Sequence, residues 1–290
     1  MALHARAGGC SADGLVAFSF PELAAPLVDV RSALRARTLV RRPMIEREES
    51  GSVVILKLAH GKVSALDLEL AEALDTLLGA CADAGKAVII TGTGGTFSAG
   101  VDLYRLHRES EAYTHDFVQA LSRLFYRVFE LPVPVVAAVN GHAVAGGCVI
   151  ACGADVRLMA AGKGRIGVPE LRVGVPLPPI ALEMVRSCTN TATLQRLVYG
   201  GDKLTPAEAQ AVGIVDRVVP ADALLGEAKR TAEKLMAIPP SSFCPTKRQI
   251  RMPYAERARA CADATPGIWA RDEVRKAISD YLQNTFGQRP

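Results

Sequence analysis

From Ser52 onward, apolar residues alternate between two periods. Ser52 to Leu58 (SVVILKL) is a strand-length run, and Leu66, Leu70, Leu74, Leu77, Leu78 and Cys81 then recur at helical spacing. That spacing predicts a one-faced amphipathic helix, which Gly85 stops. Ala87 to Thr91 (AVIIT) predicts a short strand buried on both faces, followed by a glycine-dense loop from Gly92 to Gly100. Phe117, Leu121, Leu124, Phe125, Val128 and Phe129 mark a second amphipathic helix, ended by Pro132 and Pro134. Val135 to Val139 is another buried strand leading to a turn at Asn140-Gly141. Gly146 to Cys152 then predicts a short buried helix and Val156 to Met159 a further strand. Thr205-Pro206-Ala207-Glu208 is a capping box with proline at the first helical position, and Gly213 closes that helix. Ile214 to Val219 predicts a last strand, and from Pro220 the pattern is helical, with Val274, Ala277, Ile278, Tyr281 and Leu282 sharing one face. Alternating strands and helices of this kind predict an α/β fold with short parallel strands.

Composition agrees with a globular chain: 49% of the 290 residues are hydrophobic and 22% charged. No run approaches the roughly 18 apolar residues of a membrane-spanning helix, so no membrane partner is expected. The net charge of +4 is unevenly placed. Residues 1–43 hold six arginines (Arg6, Arg31, Arg35, Arg37, Arg41 and Arg42) against three acids (Asp13, Glu22 and Asp29), leaving the rest nearly neutral. A near-neutral body argues against a nucleic-acid partner. Three readings fit residues 1–43: an extension from a mis-called start, a cleavable transit peptide, or a disordered arm. The protein is expected to be cytoplasmic, or mitochondrial if the segment is a transit peptide. Seven cysteines without a C-x-x-C pair give no metal site, and Cys148 and Cys152 read as buried structural thiols.

The candidate chemistry lies in two glycine-bearing loops that follow buried strands, Phe97 to Leu103 and Asn140 to Cys148. Glycine there lets backbone N–H groups face a ligand, and Gly146-Gly147 opens a helix whose first amides are unpaired, so two converging amides would make an oxyanion hole. Other motifs are weaker. Gly92-Thr93-Gly94-Gly95 lacks the third glycine of a dinucleotide fingerprint and has no phosphate-loop lysine. Ser98 resembles a nucleophile elbow, but Thr96 occupies the position of its first glycine.

The segments FSAGVDL (97–103), PVVAAVNGHAVAGGC (134–148), ADVRLMA (154–160) and RIGVPEL (165–171), with TPAEA near 205 and GIVD near 213, follow one another in the order seen in the enoyl-CoA hydratase/isomerase or crotonase superfamily. The chain resembles that family from about Glu46 to Gln283. The resemblance implies a crotonase-like spiral of ββα units over 44–235 and a helical C-terminal trimerisation region over 236–290, assembling as a homotrimer or dimer of trimers. It also implies an acyl-CoA thioester substrate, no separate cofactor, and an oxyanion hole from the N–H groups of Val101 and Gly146. Ser64, Ala65, Ala99, Asp102, Leu103, Tyr104, Gly147 and Val149 are the expected substrate-binding residues, and His60 to Leu66 matches the segment that wraps CoA.

Hydratases of that family use two glutamates. Glu170 stands at one of those positions and Val149 at the other. Hydration needs an activated water at C3 and a proton for C2, a task for two carboxylates, whereas moving a double bond from C3 to C2 needs one base that carries a proton from C2 to C4. The expectation is therefore Δ3,Δ2-enoyl-CoA isomerisation with Glu170 as catalytic base. Hydration assisted by Glu109, Glu111 or Glu130, thioester hydrolysis, and a non-catalytic acyl-CoA-binding scaffold are the alternatives. His142 is expected to serve the turn rather than the chemistry.

Overall fold

The computed structural model describes residues 43–287. The readings made for the arginine-rich residues 1–42 lie outside them.

In chain order the elements are β1 (Ile45–Ser50), β2 (Val53–Leu58), α1 (Leu68–Asp83), β3 (Ala87–Gly92), β4 (Thr96–Ser98), α2 (Leu103–Arg108), α3 (Glu111–Glu130), β5 (Val135–Val139) and β6 (His142–Val144). Then come α4 (Gly146–Gly153), β7 (Val156–Ala160), β8 (Ile166–Gly167), α5 (Glu170–Val173), α6 (Pro179–Arg186), α7 (Thr191–Gly200), α8 (Pro206–Ala211) and β9 (Arg217–Val219). Four helices finish the described residues: α9 (Leu224–Met236), α10 (Pro240–Ala260), α11 (Thr265–Trp269) and α12 (Asp272–Phe286).

Two sheets share the strands. A six-stranded sheet runs β1-β2-β3-β5-β7-β9, parallel except for the β1–β2 hairpin, and a three-stranded parallel sheet runs β4-β6-β8. Each strand of the large sheet from β3 to β7 is followed by a partner in the small one, and then by helix. This is the expected spiral of ββα units, and the C-terminal region is helical as expected.

The apolar strands are buried on both faces because helices cover both. Val54, Leu56, Val88, Ile90, Val135 and Ala137 join the core under α1, α3 and α4. Their neighbours Val53, Ile55, Ala87, Ile89, Val136 and Ala138 pack with Leu224, Ala228 and Ala232 of α9. That burial is the main source of cohesion in such a sheet, at roughly 25 cal/mol per Å² of apolar surface.

Several expectations are corrected. The segment before Ser52 is itself a strand, β1, with charged residues on an edge. The glycine-dense loop contains β4, and the turn after Asn140 contains β6. Leu66 does not open the first helix. It precedes the N-cap Asp67, whose carboxylate accepts the Leu70 N–H at 2.9 Å, and it bridges Val101 instead. The last strand keeps only Arg217–Val219, while Ile214 and Val215 are buried in the turn before it. The capping box forms as expected, with Thr205 and Glu208 bonding reciprocally.

Candidate active site

The three strands of the small sheet point the same way, and their exits meet. β4 delivers Ala99-Gly100-Val101, β6 delivers Ala145-Gly146, and β8 delivers Val168-Pro169-Glu170. Ala145 N–H donates to the Gly167 carbonyl at 2.8 Å, fastening the second exit to the third. Gly100 fastens the first to the second: at φ +84°, a Cβ on it would lie 2.6 Å from the Ala145 Cβ and 3.3 Å from the Gly146 nitrogen. Only glycine allows that approach.

Backbone geometry frees two amides at this junction. Leu66 N–H donates to the Gly100 carbonyl at 2.7 Å and Asp102 N–H to the Leu66 carbonyl at 2.9 Å, so the bridge uses the groups on either side of the Val101 N–H and leaves it unspent. Gly146 is the first residue of α4, where no intrahelical acceptor exists. Among the described residues, neither N–H has a hydrogen-bond acceptor. Ala145, the N-cap, sits at φ 53° and ψ −128°, an unusual conformation for a residue with a side chain, and this sets the Ala145–Gly146 peptide plane.

Glu170 opens α5 beside the two loops. The side chain is buried, its Oε2 has no partner, and burial pushes its carboxyl up to about 8. Its backbone is fixed from behind, the carbonyl accepting from Gly174 and Val175 at 3.1 Å each. The cavity here is lined by Ala99, Val101, Leu103, Val144 and Ala145, by Pro169, Glu170, Val173 and Val175, and by Trp269 and Tyr281. Glu170 is the one carboxylate in that lining.

The remaining expected residues divide. Ala99, Val101 and Leu103 line the cavity; Ser64, Ala65, Asp102, Tyr104, Gly146, Gly147 and Val149 are not part of its lining. Ser64 is buried at φ 46°, and its carbonyl accepts the Ser98 hydroxyl at 2.7 Å, tying the His60–Leu66 segment to the first amide loop. Asp102 caps α2 through the Arg105 N–H at 2.9 Å. The Tyr104 ring packs 6.0 Å from Phe286. A Cβ on Gly147 would meet the Ser98 carbonyl oxygen at 2.5 Å, so Gly147 seats α4 against β4. Val149 lies in the apolar core. Glu109, Glu111 and Glu130 do not reach the cavity, since Glu109 and Glu130 pair with Arg105 and Arg259 and Glu111 is exposed in the first turn of α3. The Ser98 hydroxyl donates to the Ser64 carbonyl and accepts from the Gly100 N–H at 3.2 Å, so it is bonded to backbone and not to a histidine. His142 is exposed on β6.

His60, at the start of the CoA-like segment, bonds Asp67 at 2.7 Å, and Asp67 also meets Arg105 at 3.1 Å. Arg105 forks onto Glu69 with two bonds of 2.6 Å and lies 4.9 Å over the Tyr113 ring. The pair holds Glu69 below the usual carboxylate range. This network holds the segment against α1 and α2. Sequence reasoning missed Trp269 and Tyr281. Tyr281 belonged to the apolar face recognised near the C-terminus, but nothing local signals where that face docks. A larger groove of about 610 Å³ runs along α10 beside Lys247 and Arg251, yet both cations are already paired with Asp155.

The arrangement offers two amides for a developing oxyanion and one desolvated carboxylate, the parts needed to take a proton from carbon next to a carbonyl. Comparison with known proteins points the same way. Residues 48–278 match the family model for enoyl-CoA hydratase/isomerase. A putative enoyl-CoA hydratase of Thermus thermophilus is 40% identical over 63% of this chain and 72% of its own. The mitochondrial enoyl-CoA delta isomerase 1 of Mus musculus is 30% identical over 84% of this chain and 87% of its own. The crystal structure of human mitochondrial delta3-delta2-enoyl-CoA isomerase superimposes with a TM-score of 0.80 at 28% identity, covering 86% of this chain and all of that one.

Proposed function

The chain belongs to the enoyl-CoA hydratase/isomerase family, and from that premise we propose that it isomerises 3-enoyl-CoA thioesters to 2-enoyl-CoA with Glu170 as its single base. The observation that carries the reading is the lone carboxylate: Glu170 is the only one lining a cavity that Val101 and Ala145 also line, the latter the residue just before Gly146. The thioester oxygen accepts from those two N–H groups. Ionised Glu170 takes a proton from C2, and the C–H electrons pass into a dienolate whose charge rests on that oxygen. The Glu170 acid then returns the proton at C4, the double bond settles between C2 and C3, and the carbonyl re-forms.

Hydration would need a second group to orient water. The corresponding side chain is Val149, which is buried in the core and has no polar atom. A carboxylate raised by an apolar site is poised as a base near neutral pH, and oxyanion donors supply about 10²–10³ in rate each. No metal or separate cofactor enters this scheme, and CoA belongs to the substrate. The assembly we propose is a homotrimer or dimer of trimers, open to light scattering. Following conjugation by ultraviolet absorbance with 3-hexenoyl-CoA tests the activity. Turnover is expected, with crotonyl-CoA hydration slower by about 10² or more. Brisk hydration without isomerisation would overturn the reading.

A further inference from the structure

We propose that this site accepts short acyl chains, of about four to six carbons, and that Trp269 and Tyr281 set the limit. The inference rests on the isomerase reading of Glu170. The thioester carbonyl must sit at the Val101 and Gly146 amides, and C2 and C4 within reach of Glu170. The rest of the chain then runs along the apolar part of the lining, where Leu103, Val144, Val173 and Val175 meet the two large rings of Trp269 and Tyr281.

The space there is small. The cavity is about 70 Å³, against the roughly 150 Å³ of an apolar cavity that holds one benzene, so about three carbons fill it and each carbon added presses harder on its walls. Neither wall is loose. Trp269 is 2% exposed and its indole N–H donates to the Pro176 carbonyl at 2.9 Å, which fixes the ring's orientation. Tyr281 rides on α12, and that helix is pinned to α2 by Arg275, whose guanidinium donates to the carbonyls of His107 at 3.1 Å and Glu109 at 3.0 Å. Phe286 braces the same helix, 6.5 Å from Tyr281 and 6.0 Å from Tyr104. A longer chain must therefore displace a hydrogen-bonded indole or lift α12 from α2.

The test measures kcat/KM for 3-hexenoyl-, 3-octenoyl- and 3-decenoyl-CoA with the full chain, and binding of hexanoyl- and decanoyl-CoA by calorimetry. The wild type should favour the six-carbon over the ten-carbon ester by about tenfold or more in both measurements. Tyr281→Ala, at a half-buried position, should recover roughly tenfold on the ten-carbon esters, and Trp269→Phe should shift the profile less. If no 3-enoyl-CoA reacts but the binding order and its shift in Tyr281→Ala hold, the isomerase reading fails and the length limit stands. Equal affinity of the wild type for hexanoyl- and decanoyl-CoA, or an unchanged length order in Tyr281→Ala, would overturn the proposal.

Discussion

Asp155 and Glu170 are both carboxylates withdrawn from solvent on one chain, yet their surroundings are opposite. Asp155 is saturated: Oδ2 accepts from the Val135 N–H at 2.8 Å and the Lys247 ammonium at 2.7 Å, and Oδ1 from Arg251 at 2.8 Å. The cations are anchored in turn, Lys247 to the Val133 carbonyl at 3.0 Å and Arg251 to that of Gly153 at 2.6 Å, with the guanidinium 4.4 Å over the Phe129 ring. Burial still pulls the Lys247 ammonium down to about 8, against the attraction of Asp155. Glu170 has apolar walls and an Oε2 with no donor. Removal from water is costly for both, and only one is compensated by partners. Where both oxygens have donors, the carboxylate stitches α10 to the ends of β5 and α4; where one has none, it is left free to exchange a proton.

Exchanging each for its neutral isostere should give opposite phenotypes. The largest expected effect is Glu170→Gln, with isomerisation down by about 10³ and no loss of folding or of acyl-CoA affinity. Steady-state kinetics beside calorimetry would read this, and retained turnover would assign the base elsewhere. Asp155→Asn should do the reverse. With Lys247 and Arg251 left facing a neutral amide, denaturant unfolding should lose about 3–5 kcal/mol, while the protein that remains folded keeps its kcat. A variant that unfolds normally but is inactive would erase the contrast between the two sites.

These two carboxylates were unequally legible in the sequence. Glu170 could be picked out because it sits in a motif with a family resemblance and because Val149 stands where a second glutamate would be. Asp155 could not, since its partners Lys247 and Arg251 come from a distant helix that carries two internal prolines and a weak pattern. The same logic divides the fold. The strands β2, β3, β5 and β7 are five or six residues long and mostly apolar, enough for a period to register. The strands β4, β6 and β8 have three, three and two residues, too few for any period, and they are the ones that aim the site. Glycine pointed to the loops, but that Gly100 must lie against Ala145 and Gly146 is a tertiary fact. So is the arrival of Trp269 and Tyr281 from the C-terminal helices.

A smaller effect separates the sites by pH. With the Glu170 carboxyl near 8, kcat/KM should climb about tenfold per pH unit below that value and level above it, because only the ionised carboxylate takes the C2 proton. Asp155→Asn should leave that profile where it is. A flat profile between pH 6 and 9 (about three decades of proton activity) would mean that the carboxylate is not desolvated as its surroundings imply.

The smallest effect falls on stability, and its sign runs against intuition for a conserving change. Glu170 is raised from an ordinary value of 4.5 to about 8 in the folded chain, so between those values the folded protein holds a proton that the unfolded chain has released. Stability must then fall as pH rises through that window, and the loss is complete above it. Glu170→Gln has no proton to lose and keeps a neutral group in the apolar wall. Its Tm should therefore match the wild type near pH 5 and exceed it near pH 8.5, the gap widening steadily in between. An Asp155→Asn protein, whose deficit comes from two stranded cations, should show no such widening. If the Glu170→Gln gap stays constant with pH, the carboxylate is answered by a donor after all, and the distinction between a structural and a chemical carboxylate would have to be drawn on other ground.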